Sequence, residues 1–317
     1  MSGPDTSWRI AWPRLDYAAD RGTIETLHLL LQLIGKLPLR LHPWINHGWH
    51  VALRPTPRGF ATRSLPAGER HFTVELDLLE GVIGVVCDNG SQSALPVAGK
   101  TIAEVHRELF ALLASVGLPA PLYGAPNELP DPVRFSDDRR PREWDADAAR
   151  RLHGAFLAAD RGFNRFRSLY RGKCSPSHLF WGSFDLAVTR FSGRGAPVHP
   201  GGIPALPDAV TREAYSHEVI SAGFWPGGGG FGEAAFYAYA YPTPVALSVK
   251  PVEPADAFWH RDLREFLLPY AEAQAAADPD FALQRFLQST FDAAARLLDW
   301  PPGLVIDEAP SFGRPPV

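Results

Sequence analysis

Pro119, Pro121, Pro126, Pro130, Pro132 and Pro141 crowd one stretch of the chain. A proline inside a helix deletes a backbone hydrogen bond and clashes with the preceding turn, and in a central strand it deletes a ladder bond. No long helix or central strand can cross such a run, so the 317-residue chain is expected to divide there. Its length also suits two domains, at about 150 residues each. The expected organisation is an N-terminal module at 9–118, a Pro-rich linker at 119–143, a C-terminal module at 144–308 and a disordered tail at 309–317, where Pro310, Pro315 and Pro316 recur. Apolar Leu122, Tyr123, Val133 and Phe135 inside the linker predict that it lies against folded surface.

On either side of the prolines the same order of elements recurs. Ile24, Leu27, Leu31 and Ile34 fall at helical spacing within Thr23–Leu37, and Pro38 is expected to end that helix. Strands follow: His47–Arg54 alternates through Trp49, Val51 and Leu53, and His71–Leu79 alternates through Phe72, Val74, Leu76 and Leu78. A capping box, Thr101-Ile-Ala-Glu104, opens the next helix. In the second half Asp145 caps a helix reaching about Tyr170, with Leu152, Phe156, Phe163 and Phe166 on one side. Strands are expected at His178–Phe191, Tyr215–Trp225, Glu233–Tyr241 and Val245–Lys250, and helices at Asp256–Leu268 and Asp280–Trp300, the last packing Phe281, Phe286, Phe291, Ala294 and Leu298. The fold class is α+β: two mixed modules, each an antiparallel sheet flanked by helices. The repeated order points to a pseudo-duplicated pair, although no residue-level repeat accompanies it.

Bulk properties narrow the functions. A net charge of −4 with a pI near 6.3 lacks the basic balance of a nucleic-acid binder. No run of about 18 apolar residues is present, so no membrane span is expected, and the N-terminus lacks the basic-then-apolar pattern of a signal peptide. Cys87 and Cys174 make neither a disulfide framework nor a closely spaced metal pair, which suits a reducing cytoplasmic compartment. Cofactor and oligomeric state are left open.

Chemistry-bearing residues gather in the second half. In a strand beginning at His178, alternate residues share a face: His178, Phe180, Phe184, Leu186, Val188 and Arg190 on one, Trp181, Ser183, Asp185, Thr189 and Phe191 on the other. In the next strand Tyr215, His217, Val219, Ser221 and Trp225 alternate with Ser216, Glu218, Ile220 and Phe224. Tyr237, Tyr239 and Tyr241 line up at spacing two. An apolar floor with sparse polar groups is the usual form of a small-molecule site; the competing reading makes the aromatics core, since strands favour them anyway. His217 beside a carboxylate is the best general acid/base candidate, because histidine titrates near neutrality. The expected catalytic groups are His217, Glu218 and Asp185, and the expected ligand contacts are His178, Trp181, Arg190, Arg194, Tyr215 and Trp225. The arginines suit an anion through their forked donors. His178, His199 and His217 with Glu218 or Asp185 could supply a metal, but no short ligand motif is present and no metal residues are assigned. His47 and His50, around Gly48, suit a surface turn. Pro226–Gly232 is glycine-rich but precedes a strand rather than a helix, so the phosphate-loop logic fails. Three functions stay open: a small-molecule-binding protein or enzyme with an aromatic-lined pocket in the C-terminal half, a metal-dependent enzyme, or a non-catalytic scaffold.

The strings Pro-Ser-His-Leu-Phe-Trp-Gly-Ser-Phe-Asp-Leu-Ala-Val-Thr-Arg-Phe-Ser-Gly-Arg (176–194) and Glu-Ala-Tyr-Ser-His-Glu-Val-Ile-Ser-Ala-Gly-Phe-Trp-Pro-Gly (213–227), with Trp12-Pro13, Asn46-His47-Gly48-Trp49 and Pro126-Asn127-Glu128, resemble the bacterial family of domain of unknown function 5996. The likeness covers nearly the whole chain. It implies no activity and assigns no catalytic residue.

Overall fold

A computed structural model describes residues 12–115, 117, 124–203, 205–229 and 231–306; Pro119, Pro121 and the expected tail lie outside the described residues. Helix α1 (Tyr17–Leu41) begins where Asp16 accepts the Ala19 amide at 3.1 Å, a side-chain cap on an otherwise orphaned donor. It runs through Pro38 instead of stopping there. The proline removes one bond, and His42 N–H, donating to Pro38 O at 3.0 Å, closes the following turn. Ile24, Leu27, Leu31 and Ile34 are buried as their spacing predicts, yet Leu29, Leu30, Leu33 and Leu37 are buried too. The helix is enclosed because it packs both on the first sheet and on a second helix, α3 (Ala146–Ser168).

The first sheet is antiparallel, in the order β1 (Arg54–Pro55), β2 (Gly59–Ala61), β4 (Arg70–Asp77), β5 (Val82–Cys87), β6 (Gln92–Pro96), with β3 (Leu65–Ala67) also paired to β4. Phe72, Val74 and Leu76 stand opposite Cys87, Val85 and Ile83, so one face is apolar; α1 packs against β3 and β4, and α2 (Ile102–Ser115) packs against β6. The capping box forms: Thr101 Oγ1 accepts from Glu104 N at 3.2 Å and Glu104 Oε2 from Thr101 N at 2.9 Å. His47–Arg54 is not the expected strand. Left-handed His47 (φ 61°) and Gly48 (φ 69°) curl it into a 3-10 turn at Asn46–Gly48.

The second sheet is also antiparallel, in the order β11 (Phe258–His260), β12 (Glu265–Pro269), β10 (Ala235–Tyr241), β9 (His217–Trp225), β8 (Asp185–Gly195), β7 (His178–Phe180). Here Asp256–Leu268, expected as a helix, is the β11–β12 hairpin. Phe266 and Leu268 pair with Ala238 and Phe236 and are buried, a period of two that the short apolar run concealed. Val245–Lys250, expected as a strand, is a 3-10 turn at Val245–Val249 with both end valines exposed. The last helix, α6 (Pro279–Leu297), buries Phe286, Phe291 and Ala294 but leaves Phe281 exposed in its first turn. Leu186, Val188 and Arg190 of β8, Ile220, Ala222 and Phe224 of β9, and Phe236 of β10 turn towards α3, α6 and the short α5 (Tyr270–Ala275). Phe224 meets Phe156 edge-on at 5.0 Å, and Phe236 meets Phe163 at 6.3 Å. The opposite face of this sheet carries the candidate site.

The two sheets meet at Leu53 and Leu179, which exchange both backbone bonds at 3.0 and 2.8 Å. Beside that bridge the Trp181 ring lies on Gly35 of α1, where an added Cβ would sit 2.3 Å from the indole. Helix propensity alone would make Gly35→Ala stabilising by about 1 kcal/mol. Here the close approach wins, and urea titration should show a loss of about 1–3 kcal/mol; a gain would mean that the indole moves aside freely.

Candidate functional site

The site is built on a hairpin. The turn Trp181–Phe184 separates β7 from β8, with Phe180 opposite Asp185 and His178 opposite Ala187. Directly opposed residues share a face. His178 therefore stands on the face of Asp185, Ala187 and Thr189, not with Leu186, Val188 and Arg190 as one continuous strand would have it. Four turn residues, with Phe184 at φ 60°, reverse the parity.

Across the sheet the same face continues through Val219 and Ser221 of β9, Tyr237 and Tyr239 of β10, and Glu265 and Leu267 of β12. Over it close Trp44, His47 and Trp49 of the turn after α1, Asn127 and Glu128 of the Pro-rich segment, and α4 (Asp208–Ala214) with the residues before it. The result is a cavity of about 360 Å³. It shares Glu128, Asp185, Tyr215, Tyr237 and Tyr239 with an adjoining lobe of about 700 Å³ that reaches Trp225 and Glu265. The His47 ring nitrogen Nδ1 lies 3.1 Å from Ala214 O, tying the turn to α4 above the floor.

Asp185 is 8 % exposed. It accepts from Ser183 Oγ at 2.5 Å and from the Tyr237 hydroxyl. Burial pushes its carboxyl up, against those two hydrogen bonds. The Tyr215 and Tyr239 hydroxyls bond at 2.9 Å, and burial raises Tyr215 to about 12. Glu128 stands over Gly182, where a Cβ would fall 2.0 Å from its Oε1; a side chain there would displace the carboxylate. Burial first, then the charge of Asp185, raises Glu128 to about 7, with Lys36 opposing. Burial, then Asp185, raises Glu265 to about 8.

Glu128 is aimed by α1. His28, Gln32 and Lys36 recur at every fourth position, which places them on one face of the helix. Gln32 Nε2 donates to Asn127 O at 2.8 Å while Gln32 Oε1 accepts from Asn127 N at 2.8 Å. Lys36, 1 % exposed, donates to Asn127 Oδ1 and lies 5.3 Å from the centre of the Trp181 ring; burial lowers its pKa to about 8, opposed by Glu128. His28 Nε2–H donates to the carbonyls of Trp181 and Gly182 at 3.0 and 2.9 Å. With its neighbour pinned, Glu128 itself sits at φ 59°. Among the described residues six non-glycine positions are left-handed, and His47, Glu128, Phe184, Ala205 and Arg264 all line or adjoin this cavity. Such conformations persist only where surrounding structure holds them, and they cluster at functional sites.

Of the residues expected from sequence, Asp185, Trp181 and Tyr215 line the cavity and Trp225 lines the adjoining lobe. The others stand elsewhere. His217 is exposed at the start of β9, with its ring 5.7 Å from that of His47. Glu218 points to the other side of the strand, accepting from Ser192 Oγ at 2.8 Å and Arg194 Nε at 3.0 Å. Arg194 also donates to Leu298 O and Asp299 O. His178 is buried with neither ring nitrogen partnered, and burial, with Arg63 and Arg167 nearby, lowers its pKa to about 3. Arg190 lies on the helical side, 3.3 Å from the centre of the Phe166 ring. The structure adds Glu128 and Glu265, which line the two lobes, and Lys36, bonded to Asn127 beside them. Among the described residues no three His, Cys, Asp or Glu side chains gather as a metal ion would need, and no helix is long and apolar enough to cross a membrane.

A family model described as a family of unknown function (DUF5996) matches residues 12–305. No curated protein and no solved structure matches the chain.

Proposed function

The chain belongs to this family of unknown function, and we propose that it binds a small organic molecule in the aromatic-lined cavity over the second sheet. The carrying observation is the company around Asp185. Glu128 and Glu265, from distant stretches of chain, face the same space as this buried carboxylate, among Trp181, Tyr215, Tyr237 and Tyr239. A cavity of a few hundred Å³ with aromatic walls and a few convergent polar groups has the dimensions of a ligand site. A core built only for packing would not keep three acids there, since buried charge is costly.

Glu128 supports an enzymatic version of this reading. A carboxyl raised to about 7 can both donate and accept a proton at neutral pH, which is what general acid–base work requires. In that version Asp185, held by Ser183 and Tyr237, is the fixed partner and Glu128 the group that exchanges its proton. Both cysteines are free thiols, consistent with a cytoplasmic setting.

The test is to fill the cavity. Ala187→Phe sets a ring on the floor beside Asp185. Ligands found for the wild type by a thermal-shift screen of metabolites, and confirmed calorimetrically, should bind this variant at least tenfold more weakly, while it still unfolds in a single cooperative transition. Unchanged affinities would place the binding site elsewhere.

A further inference from the structure

We infer that the ligand is an organic cation, an ammonium group carried on an apolar body. The inference rests on the cavity reading above and adds the class of molecule. Glu128, Asp185 and Glu265 come from three separate elements and converge on the lobes shared by the cavity. The protein places Lys36 on this side, over Trp181 and bonded to Asn127, where its charge opposes that of Glu128, so one cation stands against three acids. The remaining groups do not restore the balance: from the turn after α1, His47 and His50 line the cavity, and burial lowers both their pKa values, which disfavours their charged forms. From α1, Tyr17 and Glu25 add no cation, and Glu25 accepts from Arg21 at 2.7 Å, while His28 gives its proton to backbone carbonyls. From the sheet come the hydroxyls of Tyr237 and Tyr239, with Tyr215 beside them.

Two further observations point to a ligand rather than to an idle acidic cluster. The acids stand among the rings of Trp181, Tyr215, Tyr237 and Tyr239, and aromatic rings attract a cation through their quadrupoles; an anion would meet neither feature. Thr211, 1 % exposed, lines the cavity, and its buried hydroxyl has no partner among the described residues; native structures rarely leave such a group unsatisfied. The rim supplies the apolar half. Leu39 and Trp44 line the cavity and are 40 % and 48 % exposed, so an apolar body can rest at the mouth while its ammonium reaches the acids.

Protons must balance. Burial holds Glu128 and Glu265 partly protonated near neutral pH. An arriving ammonium pairs with the carboxylate, and the carboxyl proton leaves to solvent. Binding of a cation should therefore release protons and strengthen as pH rises.

The test titrates the full chain with phenethylammonium, 2-phenylethanol and 3-phenylpropanoate, near-isosteres of charge +1, 0 and −1. Calorimetry runs at pH 6, 7 and 8 in two buffers of different ionisation heat. The ammonium should bind at least tenfold more tightly than either relative, with proton release and with affinity rising severalfold from pH 6 to 8. Glu265→Gln and Glu128→Gln should each weaken it about tenfold and reduce the proton release. Tighter binding of the alcohol or the carboxylate, or no ammonium binding at millimolar concentration, overturns the cation assignment. The cavity reading falls separately, if ligands from the metabolite screen bind Ala187→Phe as they bind the wild type.

Discussion

Arg190→Ala is expected to lose about 4 kcal/mol of stability, within the range for emptying a large buried side chain, while Arg190→Met stays within about 1 kcal/mol of the wild type. Arg190 is 0 % exposed. Its guanidinium lies 3.3, 4.4 and 4.8 Å from the ring centres of Phe166, Phe291 and Tyr170. Nη2 donates to Phe166 O, while Nε and Nη1 have no partner. Among the described residues no carboxylate forms an ion pair with it, and burial lowers its pKa to about 9, which still leaves it protonated at neutral pH. Two effects oppose each other. Desolvating an ion costs several kcal/mol, and stacking against aromatic faces returns about 2 kcal/mol or more at a desolvated site. Because they nearly cancel, a neutral side chain of similar length should serve about as well. Arg190→Lys should be worse than Arg190→Met, since an ammonium has no flat face to insert between rings. Urea denaturation ranks the three. If lysine restores stability and methionine does not, net charge governs the position. Arg190→Met should also leave ligand affinity unchanged, because the side chain lies across the sheet from the cavity.

That position shows what alternation can and cannot convey. The period of two along β8 and β9 is visible in the sequence, and the inward residues do alternate as read. Which face is open to a ligand depends on what covers each, and α3 and α6 claim the face of Arg190. His178 moved to the other face because Trp181–Phe184 is a turn, and an apolar turn resembles a strand when only hydrophobicity is followed. Three charged groups at or beside the cavity are hard to read from sequence, for different reasons. Lys36 sits where a helix end was expected, yet His28, Gln32 and Lys36 recur at spacing four in a helix of buried leucines, and that stripe is a usable signal. Glu265 fell inside a segment expected to be helical, where spacing two carried no weight. Glu128 lies among prolines whose composition says linker; only the geometry, with Asn127 pinned by Gln32 and the carboxylate over Gly182, gives it a role. The helices whose caps can be read, at Thr101 and Asp145, formed as expected because capping is local chemistry. The site was less legible because it joins α1, the Pro-rich segment and the second sheet.

Glu265→Gln is expected to be more stable than the wild type at pH 8 and nearly equal to it at pH 5. The sign follows from linkage. A carboxyl whose pKa is higher in the folded than in the unfolded chain makes the folded state bind more protons, so stability falls as pH rises. For Glu265 the window runs from its ordinary value of 4.5 to about 8, and for Glu128 from 4.5 to about 7. Their contribution is fully present below the lower limit and lost on passing the upper one. Lys36, lowered from 10.5 to about 8, acts in the opposite sense only above that pH. One pKa unit is worth about 1.4 kcal/mol; allowing for the partial solvation of Glu265, the glutamine variant should gain on the order of 2 kcal/mol at pH 8. Urea titrations of both proteins at pH 5, 6.5 and 8 measure the difference, and parallel profiles would show that Glu265 ionises freely in the folded chain. Asp185→Asn should flatten the wild-type profile as well, because the charge of Asp185 is the second cause, after burial, for both glutamates. A residue that weakens the empty protein at neutral pH, and whose replacement strengthens it, is retained against stability. Such a cost is expected of a group that serves binding rather than stability, so under the proposed cation reading the substitution that stabilises the protein should also weaken its hold on an ammonium.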